Sequence, residues 1–165
     1  MLMRFLITVF VLFFLAACGS TPDTMSGSGE GEVISGSITT IPAEYTEGGT
    51  QEDLVINVGD RIHFEFDSYD LTNVAQQTLQ DQAAWLKQYS DVSITVEGHC
   101  DERGTREYNL ALGERRAQSM KNYLIGLGVS AGRISTISYG KERPAVLGSN
   151  DAAWDQNRRA VAVVN

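Results

Sequence analysis

Val92–Leu127 reads VSITVEGHCDERGTREYNLALGERRAQSMKNYLIGL. Val92, Ile94 and Val96 alternate with Ser93, Thr95 and Glu97, the period of a half-buried strand. From Thr105 the rhythm changes. Leu110, Leu112, Ala117, Met120, Tyr123 and Leu124 furnish an apolar face, and Gly126-Leu127-Gly128 supplies the glycines that end helices. The segment predicts a strand, a polar loop and a helical region from about Thr105 to Leu127. Gly113-Glu114-Arg115-Arg116 interrupts that region. Glycine is an acceptable N-cap and Glu114 suits the positive helix end, so a restart at Gly113 is expected, with Arg116 in its first turn.

Upstream, Ile62, Phe64 and Phe66 alternate with His63 and Glu65, which predicts another strand. Thr72 caps a helix running to about Tyr89, whose stripe is Val74, Ala75, Leu79, Ala83 and Leu86. Asp53–Val58 alternates weakly and reads as a short lead-in strand. Downstream, Arg133–Tyr139 and Arg159–Val164 read as strands, Gly140–Ser149 as a loop and Asp151–Asn157 as a helical turn. The order β-α-β-α-β-β predicts an α+β fold: a two-layer α/β sandwich with helices on one face of a small mixed sheet.

The N-terminus reads as an export signal followed by a tether. Phe5–Leu15 is almost unbroken apolar sequence, and its roughly 17 Å as a helix falls short of a bilayer core of about 30 Å. Leu15-Ala16-Ala17-Cys18 resembles the lipobox of bacterial lipoproteins, which implies a signal peptide over residues 1–17 and acylation of Cys18. Gly19 stands where an inner-membrane retention signal has Asp, so the resemblance points to the outer membrane. One acyl chain anchors only marginally, and two or three on one cysteine hold firmly. Gly19–Asp60 has no Lys or Arg and eight acidic residues. Its Gly- and Ser-rich part lacks the apolar content to offset ordering entropy, so residues 18–52 read as lipidated cysteine and flexible acidic tether. Residues 53–165 read as the folded domain.

Composition narrows the function. Removing Arg4 with the signal takes the formal charge from −8 to −9, which disfavours nucleic acid and anionic lipid surfaces. With Cys18 acylated, Cys100 is the remaining thiol, so no intrachain disulfide forms.

Candidate chemistry lies in Glu97–Ala117. The loop carries Asp101, Glu102 and Arg103, and Arg116 follows beside helix N–H groups. An arginine takes a carboxylate with two parallel hydrogen bonds, and an aspartate takes an ammonium. Three arrangements are open: Asp101 and Arg116 hold the two charges of an amino-acid zwitterion, they pair with each other, or they lie on a solvated face.

The spacing Asp101, Gly104, Asn109, Leu112, Arg116-Ala117 is similar to that of OmpA-like peptidoglycan-binding domains. HFEFDSYDL, VEGHCDERGTREYNLALGERRA, ISYGKERP and NRRAV extend the resemblance over Asp60–Asn165. It implies non-covalent binding of the peptidoglycan stem peptide at meso-diaminopimelate, whose far end is a free zwitterion. The positions carried over are Asp101 and Arg116 as charged readers and Asn109 as brace of the loop. Gly104 and Leu112 are turn and packing positions, and Phe66 and Asp67 form the opposite wall. Gly113 departs from the serine common in that family. The resemblance also implies docking to TolB, a periplasmic propeller, and to TolA of the inner membrane. It implies no enzyme, no cofactor and no metal.

Three other motifs carry little. His99 and Cys100 are adjacent on a strand and point to opposite faces, which disfavours a shared proton or zinc. Gly140-Lys141 lacks the remainder of a phosphate loop. Trp85 and Trp154 read as packing residues, and Tyr139–Pro144 as an exposed segment open to a protein partner.

Overall fold

A computed structural model describes residues 47–165; the signal segment, Cys18 and most of the expected tether lie outside the described residues. The elements are α1 (Gln51–Asp53), β1 (Arg61–His63), α2 (Asn73–Gln88), β2 (Ile94–His99), α3 (Arg106–Gly126), β3 (Ile134–Gly140), α4 (Asp151–Asn157) and β4 (Arg159–Val164). The sheet order is β1-β4-β2-β3. β4 runs antiparallel to both neighbours, and β2 and β3 are parallel, joined through α3. This is the mixed sheet and α+β fold that the element order predicts.

Alternate strand residues build the core. Ile62, Ile94, Val96, Ala160 and Ala162 point to one face and pack with Ala75, Leu79, Ala83 and Leu86 of α2. Ala117, Met120 and Leu124 of α3 join the same cluster, so both long helices cover that face. Thr72 and Thr105 each accept a backbone N–H three residues on, from Ala75 and Tyr108, and so start α2 and α3. Among the described residues, no helix is long and apolar enough to cross a membrane.

Three local expectations are overturned. Asp53–Val58 is helical rather than a strand: Thr50 caps α1, and Leu54–Val58 continues as one wide turn. The cause is the buried Asp53 carboxylate, which accepts from Trp85 Nε1 at 2.7 Å, Asn57 Nδ2 at 2.7 Å and Gly49 N at 2.9 Å. Its pKa is lowered, first by the Asn57 hydrogen bond. Trp85 is thus a buried packing residue, as expected, with its ring N–H satisfied.

Next, β1 stops at His63. Phe64 still packs inward, but Phe66 stands 59% exposed because the chain turns through Asp67 at φ 54°.

Last, α3 does not restart at Gly113; it runs unbroken through it. Gly113 is there for closeness. A Cβ on Gly98 would lie 1.9 Å from the Gly113 carbonyl oxygen, and one on Gly113 would lie 2.9 Å from that of Gly98. The two glycines let α3 cross β2 with backbones nearly touching.

Candidate functional site

The β2–α3 loop and the turn after β1 face each other across a cavity of about 160 Å³. All seven residues singled out in the sequence line it: Phe66, Asp67, Asp101, Gly104, Asn109, Leu112 and Arg116. Cys100, Arg103 and Tyr108 complete the wall. Druglike ligands fill about 300 Å³ or more, so this cavity fits the end of a ligand.

Asp101 and Arg116 do not pair with each other. Arg116 is 1% exposed and donates to three backbone carbonyls: Nε to Ser68 at 2.8 Å, Nη1 to His99 at 2.9 Å, Nη2 to Glu65 at 3.1 Å. Those bonds tie β2 to the turn that carries Phe66 and Asp67. A guanidinium has five N–H groups, so no more than two remain for anything in the cavity. Burial lowers the Arg116 pKa from its ordinary value.

Asp101 meets two other arginines. Oδ1 accepts from the Arg103 backbone N–H at 3.1 Å and its Nε at 3.2 Å. Oδ2 accepts from Arg103 Nη2 at 2.7 Å and Arg158 Nη1 at 3.4 Å. Burial alone would raise the Asp101 pKa, but the Arg103 and Arg158 bonds outweigh it and hold the carboxyl below its usual range. Arg103 lies between the rings of Phe66 and Trp154, 4.1 Å from each centroid. Trp154 is therefore half-buried at the rim, not in the core, and its ring N–H donates to Glu102 at 3.1 Å.

Asp67 holds a left-handed backbone, uncommon for a residue with a side chain and tolerated best by Asn and Asp. The Tyr108 hydroxyl donates to its carboxylate across the cavity mouth. Asn109 Nδ2 donates to the Arg103 carbonyl at 2.7 Å, bracing the loop, and Gly104 turns it at φ 88°. Tyr108, Asn109, Leu112 and Arg116 share one helix face.

The Cys100 thiol is buried and donates to the Asn109 carbonyl at 3.3 Å. Burial pushes its pKa up to about 11, so it stays a thiol at neutral pH.

A model of the OmpA family matches residues 63–160. A peptidoglycan-associated lipoprotein of Brucella melitensis is 46% identical over 96% of this chain and 90% of its own. One of Agrobacterium fabrum is 50% identical over 91% and 81%. The chain belongs to the OmpA family, among its peptidoglycan-associated lipoproteins. The crystal structure of the Burkholderia pseudomallei peptidoglycan-associated lipoprotein is 43% identical over 64% of this chain and 90% of that one, with a TM-score of 0.63. The C-terminal domain of Helicobacter pylori MotB is 22% identical over 64% and 84%, with a TM-score of 0.60, and shows the fold alone.

Two wall residues of this OmpA-family site, Tyr108 and Arg103, have no role assigned from the sequence, nor does Arg158, which contacts Asp101. Tyr108 was accessible to it, one turn before Leu112 on the same face. Arg103 was visible in the loop, but nothing local indicated its stacking. Arg158 carried no local signal, because its partner Asp101 is 57 residues away.

The same domain holds a pH-sensitive residue. His99 is 2% exposed, and burial first, then Arg159, depress its pKa to about 4. Glu97 Oε2 lies 3.5 Å from His99 Nε2, an ion-pair distance. Burial and the surrounding arginines win, and the imidazole is neutral at pH 7. The unfolded chain binds this proton near 6.5 and the folded chain only near 4. Stability from His99 is thus full above about pH 6.5 and lost as pH falls from there to 4, by roughly 3 kcal/mol in all. Urea titrations at pH 7.5 and 4.5 should show a much smaller loss in His99→Gln; an equal loss in both proteins would refute the assignment.

Proposed function

We propose that this protein is a lipid-anchored outer-membrane lipoprotein that grips the cell wall without chemistry. Its cavity takes the zwitterionic end of meso-diaminopimelate in the peptidoglycan stem peptide. The carrying observation is the lining: two carboxylates, Asp67 and Asp101, and two guanidiniums, Arg103 and Arg116, around a space sized for one amino-acid end. In this reading Arg116 offers its remaining N–H groups to the carboxylate. Asp101 takes the ammonium, displacing Arg103, whose side chain is 34% exposed. Phe66 and Leu112 pack on the ligand's methylenes, and Asn109 and Gly104 shape the loop.

The family and the names of the relatives support this reading. So does the expected anchor at Cys18, which would hold the outer membrane to the wall. It is a binding role, and Cys100 as a buried thiol suits no nucleophile. In the Tol–Pal system such a tether serves envelope integrity and cell division.

Co-sedimentation with purified sacculi tests the proposal. Asp101→Asn keeps the shape and removes the charge, and should weaken binding roughly tenfold to a hundredfold, the worth of one charged hydrogen bond. Unchanged co-sedimentation of that variant would remove the site.

One observation favours a second reading, a module that docks TolB or TolA with no direct wall contact. Phe66 and Tyr108, on the cavity wall, are 59% and 50% exposed, and Tyr69, two residues after Asp67, is 43% exposed. Aromatic side chains of that kind are enriched at protein interfaces. The two readings separate by whether the purified protein alone sediments with sacculi.

A further inference from the structure

We propose that Lys141, at the end of β3, is a positioning residue for Asp101. Its Nζ donates to the Glu102 carbonyl at 3.0 Å and to the Gly104 carbonyl at 2.7 Å. Asn109 holds the carbonyl between them, so three successive loop carbonyls each accept a side-chain N–H. Two different elements, α3 and the end of β3, supply those donors.

The geometry of one peptide unit makes the link to Asp101. In a trans peptide the C=O and the following N–H point opposite ways, and none of the described peptides is cis. Lys141 takes the oxygen of the Glu102–Arg103 peptide. The hydrogen on its other side donates to Asp101 Oδ1 at 3.1 Å. A cation at one end and a carboxylate at the other align and polarise the same dipole, and hydrogen bonds in such a chain strengthen one another. Lys141 therefore sets the direction of the Asp101 carboxylate without touching it. Tyr139–Pro144, which the sequence left as an exposed segment for a partner, contributes to the site from behind.

The structural part of this stands on the contacts alone; its effect on binding rests on the wall-binding reading. The test uses the full chain in detergent, as wild type, Lys141→Met and Lys141→Arg. Deuterium exchange over Asp101–Thr105 should quicken about tenfold in Lys141→Met, stay unchanged in the sheet, and return close to wild type in Lys141→Arg. Affinity for a diaminopimelate stem peptide should fall about tenfold in Lys141→Met and recover in Lys141→Arg. Unaltered exchange in Lys141→Met, or no recovery with arginine, overturns the positioning role. If wild type and Lys141→Met bind the peptide equally, the link to binding is overturned. Should wild type not bind at all, the wall reading fails, and the exchange data still decide the role of Lys141.

Discussion

Gly98→Ala is expected to destabilise the domain by about 3 kcal/mol or more, lowering its melting temperature by roughly 10 °C. The added methyl meets backbone: the Gly113 carbonyl oxygen at 1.9 Å, its carbon at 2.6 Å and its Cα at 3.1 Å. No rotamer change relieves such a clash, so α3 must lift off β2. That displacement also moves Asn109, Leu112 and Arg116, because all three ride on α3. Gly126→Ala is the control. It sits in the same helix with nothing within 4 Å of the added atom, and alanine favours helix over glycine by about 1 kcal/mol. Thermal melts of the two variants should move in opposite directions. A Gly98→Ala protein melting within about 2 °C of wild type would show that the helix–strand contact is not tight.

Arg116→Met should be nearly as damaging, by about 3–5 kcal/mol, the usual cost of removing one member of a buried polar set. Methionine fills much of the space but donates nothing, so the carbonyls of Ser68 and His99 lose this donor, and that of Glu65 keeps only the Ser68 N–H at 3.3 Å. Each buried carbonyl left unsatisfied costs about 1–3 kcal/mol. Arg116→Lys separates charge from shape: a lysine keeps the cation, but its single nitrogen cannot reach three carbonyls spread around a planar fork. It should recover less than half of the loss. Urea unfolding gives the energies, and amide exchange at Phe66–Asp70 should rise most, because two of the three bonds hold that turn. A stable Arg116→Met protein with an ordered turn would show that Arg116 does not hold the turn in place.

The family resemblance carried by the Asp101–Arg116 spacing and the surrounding strings named the seven residues that the fold brings to one cavity, whereas periodicity alone gave only the strands and helices that carry them. The helix starts were readable because Thr72 and Thr105 act within three residues. Contacts made over long separations left no local trace. Lys141 reaches back 39 residues to Glu102, and Trp154 reaches 52. Gly113 was misread as a cap because the residue that requires it, Gly98, lies on another element. Asp53–Val58 was misread as a strand because Trp85, which holds Asp53, is 32 residues away.

The most direct measurement is calorimetric binding of the described domain to a soluble stem peptide. The peptide is used once with the free terminal carboxylate of diaminopimelate and once with that group amidated. In the proposed reading amidation removes the charge that Arg116 takes, so affinity should drop roughly tenfold to a hundredfold. Equal affinity for the two peptides, or none for either, would contradict recognition of a zwitterion in this cavity.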